Sequence, residues 1–334
     1  MSKVKTIIES ANSKGKSKYN ILTFPTHERY ETQLCKTGHD FYSFHMQNQK
    51  EWNKEQAPVP ENYYIMPMDS VIRFVDFDFI LVQSKFWQYQ AAAEIQKTVP
   101  VPVIVLEHTL PTPATLSEDN IQGMRQMLGG INVFISEFSR KAWDISQNAR
   151  VIHHGLDLET FQPMDEDKED YVLTVANDFK NRDFCLNYNG WERITKGIKT
   201  KLVGENNGEG TTVCKYTEDV VREYNKCAVY LNTTTFSPIP MSLLEAMACG
   251  CPVVSTATCM IPEVIENGVN GFISNDEKEL NEYVQTLLGD ESLRKTMGEN
   301  ARRTIAESFS EENFINNWNQ TFTQIYEVKN LLNY

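Results

Sequence analysis

The run Ser237-Pro-Ile-Pro-Met-Ser-Leu-Leu-Glu245-Ala-Met-Ala-Cys-Gly-Cys-Pro-Val-Val254 packs a loop, a short helix, a tight turn and a strand into very little chain. Pro240 suits the first helical position, where its missing N–H costs nothing. Leu243, Leu244, Met247 and Ala248 recur with the spacing of one packed helix face. Gly250 ends the helix, and Pro252-Val-Val begins a strand with apolar character on both faces. Glu245 sits in the middle of this apolar helix. A buried carboxylate is costly unless paired or hydrogen-bonded, so it is either an internal cap or ion pair, or it faces a ligand.

Outward from that run the chain alternates strands and helices. Upstream, strands are expected at Tyr19–Phe24, Phe77–Val82, Val101–Leu106, Gly130–Ile135 and Arg150–His154. Helices are expected from Glu28 to Lys36, Lys85 to Lys97, Ser117 to Leu128, with Ser117 as N-cap, and Glu137 to Gln147. The acidic, turn-rich run Pro163-Met-Asp-Glu-Asp-Lys-Glu-Asp170 reads as a domain boundary. Beyond it the alternation restarts, with strands at Tyr171–Ala176, Thr200–Gly204, Ala228–Asn232, Pro252–Ser255 and Gly271–Ser274. Helices fall at Arg182–Gly197, Glu218–Lys226, Pro240–Cys249, Leu280–Leu288, Ser292–Glu307 and Glu311–Leu332. This pattern means parallel sheets covered on both faces. Two doubly wound, Rossmann-like α/β domains facing each other across a cleft would bind ligand beyond the carboxyl ends of their strands.

Composition excludes other classes. The chain has 334 residues, 41% hydrophobic and 23% charged, as expected of a soluble globular protein. No apolar run is long enough to span a membrane, and the N-terminus lacks the apolar core of a secretory signal. Seven cysteines without a C-x-x-C pair suggest reduced thiols and a cytoplasmic location. A net charge of −13 argues against a nucleic-acid-coating surface. Lys3, Lys5, Lys14, Lys16 and Lys18 mark residues 1–18 as a flexible basic tail.

Several motifs fail on context. Gly15-Lys-Ser17 precedes a strand instead of following one, so it is no phosphate-binding P-loop. Asp76-Phe-Asp78 lies at the start of its strand, away from the expected cleft, and reads as a solvated edge. His153-His154 has no further ligand at metal spacing. No Gly-x-Gly-x-x-Gly follows the first strand, which counts against a dinucleotide oxidoreductase.

The remaining motifs fall in a familiar order. Val151-Ile-His-His-Gly155-Leu-Asp157-Leu-Glu-Thr-Phe161-Gln-Pro163 resembles the inter-domain signature of glycosyltransferase family 4, whose fold is GT-B. Met241–Val254 is similar to that family's donor-site helix, Glu263-Val-Ile-Glu-Asn-Gly268-Val-Asn-Gly271-Phe to its next loop and strand, and Leu293–Arg302 to its late helix. The resemblance covers most of residues 131–310 and is weaker over 19–130, where Pro25–Tyr30 and Glu107–Pro111 look like a divergent subgroup. It implies an N-terminal acceptor domain over 19–155, a C-terminal donor domain over 156–310, and a final segment, 311–334, that packs back on the first domain.

The same resemblance implies retaining transfer of a sugar, hexosyl or pentosyl, from a nucleoside-diphosphate sugar to a hydroxyl acceptor, with no essential metal and no other cofactor. A diphosphate leaving group needs fixed cations or helix N-termini. The family's Arg and Lys fall on Asn177 and Arg182, with Lys180 close by. Glu245 matches the carboxylate that accepts from ribose hydroxyls. The family's first donor-loop Glu falls on Ser237, and the usual glycines beside it are Pro238 and Pro240, a departure that bears on the identity of the sugar. Ser237, Ile239, Met241 and Ser242 complete the expected donor site, the last two through backbone N–H groups. Arg182 and His108 are the catalytic candidates; Thr26 and His27, after the first strand, are the acceptor-side candidates. The metal site is expected to be none.

Other readings carry less of the pattern. A degenerate transferase acting as a nucleotide-sugar or glycan binding module would explain Ser237, and a sugar-nucleotide epimerase would need acid and base residues that the sequence does not reveal. The acceptor, whether glycan, protein, small molecule or modified nucleobase, is left open.

Overall fold

The computed structural model describes residues 16–45, 51–54, 57–66, 75–112 and 116–332. The first fifteen residues, most of the basic tail, lie outside the described residues. The chain divides into two compact units, one of residues 1–134, 144–152 and 315–334, the other of 135–143 and 153–314.

The first unit is built on a seven-stranded, wholly parallel sheet. Its strands are β1 (Asn20–Thr23), β2 (Asp40–Phe44), β3 (Tyr63–Met66), β4 (Phe79–Val82), β5 (Val103–Glu107), β6 (Ile131–Phe134) and β7 (Ala149–Val151), in the order β3-β2-β1-β4-β5-β6-β7. The winding reverses between β1 and β4, which makes that the switch point where crevices open above such sheets. β4 and β5 are buried at every position because helices cover both faces. The covering helices begin with α1 (Glu28–Cys35), α2 (Trp87–Gln96) and α3 (Glu118–Arg125). Ser117 caps α3, its hydroxyl accepting from the Asn120 N–H. Two strands, β2 and the edge strand β3, escape a reading of the sequence: β2 alternates half-buried and buried residues, and β3 has an exposed middle.

The next helix, α4 (Glu137–Trp143), falls in the second unit; the Glu263 carboxylate accepts from the Glu137 N–H there. The second sheet has five parallel strands: β8 (Glu169–Val175), β9 (Thr200–Val203), β10 (Cys227–Asn232), β11 (Val253–Ser255) and β12 (Phe272–Ile273), in the order β12-β11-β10-β8-β9. Its switch point lies between β8 and β10. A single helix expected over Arg182–Gly197 is instead two, α5 (Asp183–Leu186) and α6 (Tyr188–Ile194). Asn187 breaks it with a left-handed backbone, φ 58°, and caps α6 by accepting from the Gly190 N–H. Then come α7 (Thr217–Lys226), α8 (Met241–Ala248), α9 (Ile261–Val264), α10 (Glu277–Gly289) and α11 (Glu291–Ser308).

The last helix, α12 (Glu311–Leu332), begins in the second unit and continues in the first. At its start, a Cβ on Gly155 would come within 2.9 Å of Phe314 Cβ. Further along, Trp318 Nε1 donates to the Tyr30 hydroxyl and the Phe322 ring stacks on Phe79.

Two rejected motifs find structural roles. Asp78 is buried rather than solvated: it accepts from Lys16 Nζ at 2.7 Å and the Asn20 N–H at 2.8 Å, with Lys329 Nζ 3.6 Å away. His153 stacks on Phe309, ring centroids 4.7 Å apart. Among the described residues no group of three His, Cys, Asp or Glu side chains could hold a metal, and no helix is long and apolar enough to cross a membrane.

Candidate functional site

The loops leaving β8 and β10 meet because those strands are neighbours at the switch point of the second sheet. Hydrogen bonds tie them together. The Thr235 and Phe236 N–H groups donate to the Cys185 carbonyl at 2.8 and 3.2 Å, and the Thr235 and Thr233 hydroxyls donate to the Cys185 and Leu186 carbonyls. The turn carrying Lys180 and Arg182 is thereby joined to the loop carrying Ser237.

Arg182 is exposed and stands directly before α5. Lys180 is exposed too, its ammonium 5.0 Å from the centre of the Tyr188 ring. Asn177 does not replace a cation: its Oδ1 accepts from the Glu205 N–H at 2.9 Å and fastens the β8 and β9 loops. Gly204 allows this close approach, since a Cβ there would lie 2.0 Å from the Ala176 carbonyl.

Past β10, Thr233 and Thr234 are buried, Thr235 and Phe236 exposed, and Ser237 half-buried. Thr234 is gripped by Asn232, Thr256 and Thr258. Ile239 is buried at 9% exposure. Pro240 is the residue before the helix rather than its first turn, and α8 begins at Met241. The N–H groups of Met241 and Ser242 belong to a first turn, with no carbonyl of the preceding turn to bind. The Ser242 hydroxyl accepts from Tyr230 at 2.8 Å.

Glu245 is half-buried rather than buried. Its Oε2 accepts at 2.9 Å from the Tyr224 hydroxyl, which α7 presents from a fully buried position. Burial first, and the adjacent carboxylate after it, push the Tyr224 hydroxyl well above its usual range, so it is a permanent donor to Glu245. Tyr224 was not among the residues singled out in the sequence; a tyrosine inside an amphipathic helix gives no signal of its own.

In the first unit, His108 follows β5 and is half-buried. Its Nε2 is 3.4 Å from Gln83 Oε1 and its ring meets Tyr30 edge-on at 4.6 Å. Gln83 in turn donates at 2.6 Å to the buried Glu31. Neither residue was legible as a partner of His108. Thr26 and His27, both exposed, line a cavity at the carboxyl end of β1. The Thr26 hydroxyl accepts from Gln88.

Residues 170–304 match the family model described as glycosyl transferases group 1. The matched residues all lie within the second unit. Poly(glycerol-phosphate) alpha-glucosyltransferase of Bacillus subtilis is 32% identical over 144 residues, 42% of this chain and 20% of that protein. The chain spans about half or less of the length of the curated relatives it matches. The two-unit architecture is also that of solved structures. Sucrose-phosphate synthase from Thermosynechococcus elongatus has a TM-score of 0.71 at 14% identity, covering 93% of this chain and 100% of that one. Anabaena HepE in complex with UDP-glucose gives a TM-score of 0.71 at 16% identity, covering 92% and 100%. The fold is therefore GT-B, and the matched residues contain the loops and the helix on which Arg182, Ser237 and Glu245 sit.

Proposed function

We propose that the protein is a retaining, metal-independent glycosyltransferase that moves a hexosyl or pentosyl unit from a nucleoside-diphosphate sugar to a hydroxyl acceptor. The observation carrying this reading is the joining of the Lys180–Arg182 turn to the Ser237 loop ahead of α8, at the switch point of the second sheet and within the residues that match the group 1 glycosyltransferase model. Its chemistry suits a diphosphate. Arg182 can meet phosphate oxygens with two parallel N–H donors, Lys180 adds a second positive charge, and the Met241 and Ser242 amides supply the positive end of α8. Glu245, oriented by Tyr224, accepts from the ribose hydroxyls. Ile239 and Ser237 border the donor sugar, and His108 contacts the sugar or the leaving phosphate. The leaving phosphate takes the proton of the acceptor hydroxyl, so no protein base is required. The cytoplasm is the expected compartment.

The test is a mass-spectrometric screen of nucleotide sugars and acceptors in the presence of a chelator. UDP-sugars come first because HepE was solved with UDP-glucose. Release of nucleoside diphosphate with retained anomeric configuration in the product is expected. No release from any donor would contradict transferase activity. Ser237, in place of the family's first carboxylate, favours one alternative: a binding module, recognised by donor binding without hydrolysis or transfer.

A further inference from the structure

A cavity of roughly 210 Å³ opens in the first unit between the β1–α1 turn, the connection from β2 to β3 and the start of α2. It lies beside the switch point of the first sheet, and of the site candidates read from the sequence only the acceptor-side Thr26 and His27 line it. At ~30 Å³ per water it has room for about seven waters, or for one small ring.

Its walls contain two buried polar atoms without a well-formed hydrogen bond among the described residues. Glu31 is 1% exposed; its Oε1 accepts from Gln83, while Oε2 has no well-formed hydrogen bond among the described residues. His45 Nε2 is in the same condition. Leaving such a group unmade costs about 1–3 kcal/mol each, so two of them at one cavity suit a ligand that satisfies them. Two indoles give the cavity apolar faces. Trp52 is fixed by its Nε1 donating to the Ala57 carbonyl and by the Tyr63 ring at 4.8 Å, and Trp87 by the edge of Phe24.

The lining also states which ligands are refused. Among the described residues it contains Glu28, Glu31 and Glu51 and no lysine or arginine, so they offer a phosphate or carboxylate no positive charge. A cation is served little better. Burial raises Glu31 to about 8, keeping it mostly protonated and neutral at pH 7, Glu28 already accepts from the Asn53 N–H, and burial lowers His45 so that its ring is neutral. Neutral carboxyl, imidazole and phenol groups both donate and accept, as sugar hydroxyls do.

We propose that this cavity binds a single neutral sugar ring, with Glu31 Oε2 and His45 Nε2 holding its hydroxyls and Trp52 or Trp87 covering its apolar face. That the ring is the transferase's acceptor rests on the function proposed above; the binding itself does not. Tryptophan fluorescence with neutral methyl glycosides, against their phosphorylated, uronic acid and amino counterparts, tests it. A neutral glycoside should bind at least tenfold more tightly than each charged counterpart. Glu31→Leu and His45→Phe should each weaken it at least tenfold, while UDP-induced thermal stabilisation of the same variants stays unchanged and shows them folded. Trp52→Phe is the second probe if the buried variants do not fold: it should shift both affinity and quenching. Absence of binding by any neutral glycoside, equal or tighter binding of a charged one, or indifference to these substitutions would overturn the proposal. A failure of UDP to bind, with glycoside binding intact, would instead count against the donor site.

Discussion

Glu245 and Tyr224 form a pair in which each side chain answers for the other. The Tyr224 hydroxyl is buried, so Glu245→Ala strands a donor at about 1–3 kcal/mol in addition to removing the proposed ribose ligand. Glu245→Gln keeps an acceptor for Tyr224. Calorimetric titration with UDP should therefore show both variants weakened by about tenfold or more, as expected for a charged hydrogen bond, but only Glu245→Ala should also lose several degrees of Tm. Equal Tm losses would mean that the Tyr224 bond is not what holds the carboxylate. Glu31 makes a different prediction. Burial raises it to about 8 from an ordinary value of 4.5, so between those values the folded chain keeps a proton that the unfolded chain has lost. Stability should fall as pH rises through that window. Lys85, buried and lowered to about 8 from 10.5, works the other way above it, where the unfolded chain keeps the proton and stability recovers. Thermal melts of Glu31→Gln should show a flatter decline between pH 5 and 8 than the natural chain; an unchanged slope would contradict the raised value.

Individual elements explain what the sequence revealed. The motifs with the clearest spacing turned out to be places where backbones touch. A Cβ on Gly298 of α11 would lie 2.1 Å from the Gly250 carbonyl at the end of α8, and one on Gly271 2.7 Å from Val253. Arg302 of α11 donates to the carbonyls of Phe161, Leu158 and Ala248, fastening the connection after β7 to the end of α8. Such sites need one residue type, which is why they stand out in a chain. Gly298→Ala should cost about 1–3 kcal/mol through overpacking, read as a Tm drop of about 2–4 °C per kcal/mol, with nucleotide affinity retained in the folded fraction; an unchanged Tm would contradict the close approach. The less legible elements had weaker signals. β2 and β3 are short and partly exposed. The break at Asn187 depends on a left-handed residue that an otherwise helical pattern over Arg182–Gly197 hides.

At the scale of the whole molecule, both sheets reverse their winding once, at β1–β4 and at β8–β10, and the polar loops of each unit gather there. Glu245 and the turn at Gly250 stood out because they sit at fixed spacings within one run of chain. The cavity side did not, because Glu31, His45, Trp52 and Trp87 come from four separate segments and meet only in the folded unit. The central claim is that the second unit holds a nucleoside diphosphate between the Arg182 turn and α8. Thermal denaturation with and without UDP, on the natural chain, Arg182→Ala and Glu245→Gln, tests it most directly. A rise in Tm with UDP for the natural chain, lost or sharply reduced in both variants, is the predicted result; no rise with UDP or any other nucleoside diphosphate, or a rise that both variants retain in full, would contradict it.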